Sequence, residues 1–167
     1  MTTTGELTKE ERLDDWNSEK KILDTLWPIN QNTDRTPKFT IKSWHIWWYY
    51  IGENVGKEFG SHFDKNSNSM VHKRPGIIVS TNKMLSDGKH FKVIILPLSS
   101  IKEYSVKQDF HYTLLQENYQ LIKDSFILCN EIKVIDVRRL DKQITKNAIN
   151  QNDIDGIKMK MRNYIDI

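Results

Sequence analysis

The spacing of hydrophobic positions changes at about residue 40. Before it, large apolar residues recur near the 3.6-residue period of a helix: Leu13, Trp16, Leu23 and Trp27, with Ile22 and Leu26 beside them. Thr8 and Glu11 have the spacing of a capping box, and Pro28 cannot supply the N–H that another helical turn would need. We predict an amphipathic helix that covers the face or edge of a sheet, then a linker. A separate partner-binding arm is the alternative.

From residue 44 onward, apolar residues follow the short continuous or alternating runs of β-strands. The predicted strands are 44–51, 76–80, 91–99, 110–115 and 125–136. Both faces of the first, WHIWWYYI, are bulky, so both should be covered, and the N-terminal helix is a candidate cover for one. Asp136 can cap a short helix, VRRLDKQI, and a second amphipathic helix begins at Asn152. The polar segment 61–73 is predicted to be a mobile loop.

Several short strands separated by turns are typical of a compact antiparallel barrel or sandwich. With a helix at each end, the fold class is α+β. The length of 167 residues suits one structural domain. Within it, residues 1–40 would form the helix and linker, packing on a barrel of residues 41–167.

The composition argues against a membrane protein, a secreted protein and a metalloprotein. Apolar residues make up 38% and charged residues 28%, no apolar run approaches the ~20 residues of a membrane helix, and the N-terminus lacks the pattern of a signal peptide. The single Cys129 excludes an internal disulfide and a multi-cysteine zinc site, which fits a reducing cytoplasm. The five histidines lack metal-ligand spacing and no phosphate-cradling glycine motif is present, so we expect neither a metal nor a cofactor. The net charge of +3 permits a nucleic-acid partner without arguing for one.

Polar side chains concentrate where three predicted strands meet loops. Pro75 holds Arg74 in an extended conformation at the start of a buried strand. Loops on a rigid scaffold often carry binding groups, although exposed charge and a strand-ending serine are also ordinary surface features. The candidate residues at the three junctions are Asn54, Lys57, Glu58, Lys73, Arg74, Ser99 and Ser100.

Four segments resemble, in order and spacing, the MazF/PemK toxin family of ribosome-independent RNA endonucleases from toxin–antitoxin modules. They are GENVGKE, KRPGIIVS, VIILPLS and FILCNEIKVIDVRRLDKQI. The segments DDWNSEKKIL and IWW are similar to a longer subgroup with an added leading helix. The resemblance implies a small SH3-like antiparallel β-barrel, single-stranded mRNA as substrate and a cognate antitoxin. It also implies a homodimer, for which the aromatic residues 44–50 would supply apolar surface.

The resemblance further implies a metal-free cleavage in which the RNA 2′-OH attacks the adjacent phosphorus. Arg74 matches the family's Arg-Pro position, and its planar fork suits two phosphate oxygens. Ser99 stands where the family usually has Thr, and Glu58 matches a loop glutamate that could take or relay a proton. These three are the predicted catalytic residues. The predicted RNA-binding residues are Asn54, Lys57, Lys73 and Ser100.

The late strand departs from the family pattern. Some PemK-like members carry an Arg and an Asp where this chain has Leu128 and Asn130, so the acid–base pair inferred for them does not carry over. Two alternatives therefore stay open. One is a non-catalytic toxin on the same fold, similar to the gyrase poison CcdB. The other is an inactive barrel that binds nucleic acid.

Overall fold

The computed structural model describes residues 7–25, 41–54, 59–60, 62–64, 69–81, 92–103 and 106–166. Within them lie nine strands, three α-helices and one 3-10 turn. In chain order these are α1 Lys9–Thr25, β1 Ile46–Tyr50, β2 His62–Asp64, β3 Ser69–Val71, β4 Lys73–Thr81, β5 Lys92–Ser100, β6 His111–Leu114, α2 Gln116–Tyr119, β7 Ser125–Leu128, β8 Lys133–Asp136, the 3-10 turn Val137–Arg139, β9 Leu140–Gln143 and α3 Gln151–Ile165.

Helix α1 begins with the predicted capping box. The backbone N–H of Thr8 donates to Glu11 Oε2 at 2.7 Å, and the Glu11 N–H donates to Thr8 Oγ1 at 3.2 Å. The hydrogen bond from the Thr8 N–H, and then a second one from the Thr8 hydroxyl, lower the pKa of Glu11. Trp16 and Leu23 are buried as expected, whereas Ile22 is exposed. The predicted helix end at Pro28 and the linker after it lie outside the described residues.

Helix α1 packs beside the end of β1. The Trp16 ring lies so close over Gly52 that a Cβ there would sit 2.1 Å from Trp16 Cε2, and Gly52 has φ +80, which also favours glycine. Polar contacts add to this packing. Lys9 and Arg12 form ion pairs with Glu53, and His72 Nε2 lies within hydrogen-bond distance of Asp15 Oδ2, at 2.7 Å. The helix therefore covers the loop after β1, not a face of the first strand.

One antiparallel sheet holds seven strands in the order β6-β7-β5-β4-β1-β9, with β8 pairing along the first half of β5. In a flat sheet β8 and β9 would be four strand spacings apart, about 19 Å. Only the 3-10 turn separates them, and the chain from Asp136 to Leu140 spans at most about 14 Å. The sheet must therefore curl until its edges approach, as a small barrel does. The predicted antiparallel α+β fold is confirmed.

Two core clusters lie on opposite sides of the sheet. One joins Ile46, Leu98 and Ile127 to Ile154 and Ile157 of α3. The other fills the curl and contains Trp47, Tyr49, Ile78, Ile95 and Leu140. Both faces of β1 are covered, as predicted, but α3 contributes the helical cover. Because Trp47 and Tyr49 are buried within this chain, they supply no exposed surface for a dimer.

Three local predictions were wrong. The segment predicted as one strand, 125–136, forms two strands, β7 and β8, with a turn after Leu128 between them. The segment predicted as the helix VRRLDKQI forms only the 3-10 turn, capped by Asp136 as expected, and then strand β9. Leu140 is buried opposite Tyr49, so pairing with the free edge of β1 outweighs the local helical pattern. The segment predicted as a loop, 61–73, contains the hairpin β2–β3 and the start of β4.

Candidate nucleic-acid interface

Arg74 lies on β4 directly opposite Tyr49 of β1. Its Nε donates to the carbonyl oxygen of Gly60 at 3.0 Å, and its Cζ lies 4.5 Å from the centroid of the Phe59 ring. Burial lowers the pKa of the guanidinium, which keeps its charge at neutral pH because an arginine starts above 12. No described residue accepts a hydrogen bond from the Nη nitrogens. One end of the fork is thus held, and the other end can meet an anion.

Ser99 and Arg74 lie on neighbouring strands, each two residues beyond the last pair of the ladder that joins them. The ladder between β4 and β5 ends in the pair Gly76 and Pro97, and both strands continue for two more residues to Arg74 and Ser99. Because side chains alternate along a strand, Arg74 and Ser99 project from the same face. Ser99 is half-buried. A cation and a hydroxyl therefore sit at adjoining ends of two strands.

Gly76 keeps this arrangement compact. A Cβ on Gly76 would lie 2.7 Å from Tyr49 Cε1 and 2.8 Å from Ile95 Cδ1. The Tyr49 ring can therefore lie across β4 only if this position has no side chain. The Tyr49 hydroxyl is buried and has no hydrogen-bond partner among the described residues, and burial raises its pKa. Tyr49 thus gives Arg74 an uncharged neighbour.

The polar loop after β1 is closed by Asn54. Its Nδ2 donates to the carbonyl oxygen of Phe59 at 2.7 Å, so Asn54 ties together the two ends of the loop. The same tie sets Phe59 and Gly60 against Arg74. The predicted roles of Lys57 and Glu58 fall on residues outside the described part of the chain. The structure thus places Asn54 near the site, with its amide nitrogen already engaged.

Lys73 and Ser100 are not brought to Arg74. As immediate neighbours of Arg74 and Ser99 along their strands, they project from the opposite face. Lys73 Nζ donates to Asp141 Oδ2 at 3.0 Å and lies 4.6 Å from the Tyr50 ring centroid. Ser100 is exposed. Their proposed RNA contacts stay predictions.

Positions 128 and 130 of the late segment supply no ionisable pair. Leu128 is buried in β7, and Asn130 follows it in the turn to β8. The Asn130 Oδ1 atom is buried without a hydrogen-bond partner among the described residues. An aliphatic side chain and a neutral amide cannot act as the acid and base that some relatives place here.

The face that carries Arg74 and Ser99 differs from its reverse. Residues of the reverse face in β5, β6 and β7 pack under α3 in the first core cluster. By register, the Arg74 face continues through Ser99 to Phe126, which pairs with Thr113. We call it the open face, because Ser99, Thr113 and Phe126 belong to neither core cluster and Ser99 and Thr113 are half-buried. In the described residues, no group of three or more metal-ligating side chains converges.

Sequence reasoning missed Phe59 and Gly60, which hold Arg74. A phenylalanine inside a polar, glycine-rich loop was the available signal, because an exposed aromatic has no reason to be there unless it packs. It also missed the contribution of strand β6 to the open face. That relation depends on the pairing of three strands, which no local pattern reports.

A comparison with protein-family models decides the classification. The model described as PemK-like, MazF-like toxin of type II toxin–antitoxin system matches residues 42–165. The chain belongs to this family. The resemblance drawn from four short segments is thereby confirmed. A comparison with functionally curated protein sequences gives no match.

Solved structures of MazF proteins share the fold. The chain is similar to MazF (Form-I) from Deinococcus radiodurans, with 15% identity over 78% of this chain and 100% of that one, and a TM-score of 0.56. MazE–MazF (Form-III) from the same organism gives 14% identity over 77% and 99%, and a TM-score of 0.51. An endoribonuclease in complex with its cognate antitoxin from Mycobacterial species gives 9% identity over 77% and 97%, and a TM-score of 0.50. At these identities the likeness concerns the fold.

The residues matched by the family model correspond to the sheet and the C-terminal helix of the structure. Residues 42–165 run from just before β1 to the end of α3, so the matched region includes the complete sheet. Helix α1 precedes it. In the described residues, no helix is long and apolar enough to cross a membrane.

Proposed function

We propose that this MazF/PemK-family toxin is an endoribonuclease that cleaves single-stranded RNA without a metal ion. The observation that carries the proposal is the Arg74 guanidinium, anchored by Gly60 and Phe59 on the same sheet face as Ser99 of the neighbouring strand. A preorganised cation next to a hydroxyl suits a phosphodiester that gains negative charge during reaction.

The reaction takes its nucleophile from the substrate. The ribose 2′-oxygen forms a bond to the adjacent phosphorus, the bond from phosphorus to the 5′-oxygen breaks, and the products are a 2′,3′-cyclic phosphate and a 5′-hydroxyl. One proton leaves the 2′-OH and one reaches the departing 5′-oxygen. The enzyme must therefore stabilise a phosphorane and assist two proton transfers.

Arg74 is assigned to the phosphorane. Its two Nη groups match two phosphate oxygens, and they help the transition state more than the ground state because the phosphorane carries the additional charge. Ser99 is assigned a hydrogen bond to the same phosphate, weaker because a hydroxyl is neutral. Glu58 is the candidate for proton transfer, since neither Leu128 nor Asn130 can fill that role.

RNA is proposed to follow the open face from the loop after β1 across the ends of β4 and β5. Asn54, Lys57, Lys73 and Ser100 remain the proposed RNA-contacting residues. A cognate antitoxin is proposed as the protein partner, in line with the mycobacterial and Deinococcus complexes. We also propose that the toxin acts as a cytoplasmic homodimer.

A non-catalytic toxin on the same fold is the second candidate. Leu128 and Asn130 favour it, because they remove the ionisable pair that some relatives carry in the late strand. Such a toxin would stop growth by binding a target such as gyrase, leaving RNA intact.

One experiment separates the two. Purified protein is incubated with a long RNA in excess EDTA, and the ends of the products are mapped. The nuclease reading predicts discrete fragments with 2′,3′-cyclic phosphate and 5′-hydroxyl ends at an undiminished rate. A reaction that EDTA abolishes and a divalent ion restores contradicts the mechanism. Intact RNA from a protein that is toxic in cells favours the non-catalytic reading.

A further inference from the structure

Three aromatic rings, those of Phe110, His111 and Phe126, are in contact through His111 at the edge strand β6, where the open face ends. His111 begins β6, and its ring stacks on Phe126 of β7 with centroids 5.0 Å apart and planes 24° from parallel. The Phe110 ring meets His111 edge-on, at 4.9 Å and 89°. Phe126 is buried while His111 is half-buried. The imidazole is therefore supported from below and reaches the surface.

Strand register places His111 on the same face as Arg74. Two residues that pair across neighbouring strands have their side chains on the same face of the sheet, and so do two residues that are two positions apart in one strand. His111 can be connected to Arg74 through such pairs alone. The steps run from His111 to Leu128, Phe126, Ser99, Pro97, Gly76 and Arg74. One continuous face thus holds the proposed cleavage residues at one end and His111 at the other.

Hydrogen bonds fix the protonation of the His111 ring. The backbone N–H of Gln108 donates to His111 Nδ1 at 3.2 Å, and the His111 N–H donates to the Gln108 carbonyl oxygen at 2.9 Å. Because Nδ1 accepts a hydrogen bond, the neutral ring carries its proton on Nε2. No described residue pairs with Nε2. The ring is thus held at both Nδ1 and its stacked face, with one donor left over.

We propose that His111 recognises a nucleobase of the bound RNA by donating a hydrogen bond from Nε2–H to a base acceptor, a carbonyl oxygen or ring nitrogen. This inference rests on the proposed nuclease function and concerns the sequence preference of that same site. Single-stranded RNA offers splayed bases whose edges are read in this way by side chains on a sheet.

A base suits His111 better than a phosphate does. Burial, and then the charge of Lys107, lower the pKa of His111, so the ring is neutral at physiological pH and exerts little pull on an anion. Distance separates it from the chemistry as well. Two strands, β5 and β7, lie between the strands of Arg74 and His111, so His111 is placed to meet a neighbouring nucleotide and not the phosphorus at Arg74.

A matched pair of variants isolates the donor. His111→Phe keeps a ring to pack on Phe126 and loses Nε2–H, whereas His111→Gln keeps an N–H donor at a similar distance from the backbone. Thermal unfolding checks that both fold. Single-turnover cleavage is measured on a panel of RNAs that differ by one base at each position around the cleavage site. The same panel with a 2′-deoxy nucleotide at the reactive position cannot be cleaved and reports binding alone.

Wild type should discriminate at one position by about fivefold to tenfold, the range for one hydrogen bond, in KM and in binding of uncleavable RNA. His111→Phe should lose that discrimination, both in KM and in binding of uncleavable RNA, and His111→Gln should restore part of it. Equal preferences in wild type and His111→Phe, or a uniform loss on every RNA, would overturn the proposal. The binding panel keeps the two proposals apart. RNA that binds with a His111-dependent base preference but is never cut supports this inference while removing the nuclease function.

Discussion

The same three strands, β5, β6 and β7, present two faces with opposite character. On the covered face, Leu98 and Ile127 pack under Ile154 and Ile157 of α3. On the open face, alternate positions hold Ser99, Thr113 and His111, all half-buried. A change of one residue along a strand thus moves a substitution from the core to the proposed RNA path. In this part of the sheet, stability should reside on the covered face and activity on the open face. The second core cluster lies on the same side of the sheet as the open face, but on the neighbouring strands and farther along β5.

The covered face also contains a small group of hydrogen bonds between α3 and the tyrosines beneath it. Asp153 near the start of α3 accepts hydrogen bonds from two phenols, Tyr112 at 2.6 Å and Tyr119. The ring of Tyr112 lies against Gly156, where a Cβ would be 2.2 Å from Cε2. These contacts fix the position of α3 on the sheet, so the helix can bury its apolar residues. None of them reaches the open face.

Ile157→Ala should have the largest effect on stability. The side chain is completely buried between α3 and the sheet, and such truncations lower the free energy of unfolding by about 2–5 kcal/mol. Urea unfolding measures the change. The cleavage rate per folded molecule should stay close to wild type. A variant with wild-type stability and impaired cleavage would reverse the assignment of the two faces.

Asp153→Asn should lower stability by a smaller amount, about 1–3 kcal/mol, because two phenols lose a charged acceptor. The amide is nearly the same size, so packing is conserved. Gln151→Ala, in the same helix turn but exposed, is the control. Equal stability of the two variants would mean that the phenol–carboxylate contacts do not hold α3.

Alkaline pH should weaken the covered face. Burial, then the hydrogen bond with Asp153, raise the pKa of Tyr119 from its ordinary value of 10.0 to about 12. A phenol that ionises more easily in the unfolded chain stabilises the fold below pH 10, and this contribution is lost as pH rises from 10 towards 12. The free energy of unfolding should fall over that window more steeply in wild type than in Tyr119→Phe. Identical slopes would contradict the assignment.

Ser99→Ala should have the smallest effect, and only on activity. A neutral hydroxyl contributes a weaker hydrogen bond to the phosphate than a guanidinium does, so we expect a loss of about tenfold. Unfolding should stay within about 0.5 kcal/mol of wild type, as for substitutions outside the core. Single-turnover cleavage and urea unfolding test both parts. A loss equal to that of Arg74→Ala would give Ser99 a larger role than the one proposed.

Local pattern was sufficient for much of the fold. The period of α1, the strands β4 to β7 and the amphipathic α3 were all predictable, because each buries the face that its own residues define. The segment 137–144 failed because its fate depends on the distant edge of β1, where Leu140 pairs with Tyr49. Closure of a barrel is a non-local event, so the sequence around Leu140 carries little sign of it.

The residues of the candidate site also fall into two groups, those that the local sequence indicates and those that depend on long-range packing. Arg74 and Ser99 were predictable, since each stands next to a proline-marked strand and matches a family position. The anchor for Arg74 was not, because Phe59 and Gly60 reach it only when the loop folds back on Asn54. His111 was missed for a related reason. Its relation to Arg74 passes through the register of β6, β7, β5 and β4.

The most direct test of the account compares single-turnover RNA cleavage by wild type, Arg74→Ala and Arg138→Ala in excess EDTA. Arg138 is a matched control, because its guanidinium is also half-buried but is paired by Asp136 and Asp24. Removing the Arg74 fork should slow cleavage by about 10²–10³ while circular dichroism and urea unfolding stay near wild type. Arg138→Ala should cleave at close to the wild-type rate. Wild-type cleavage by a folded Arg74→Ala would contradict the account and place the active site elsewhere.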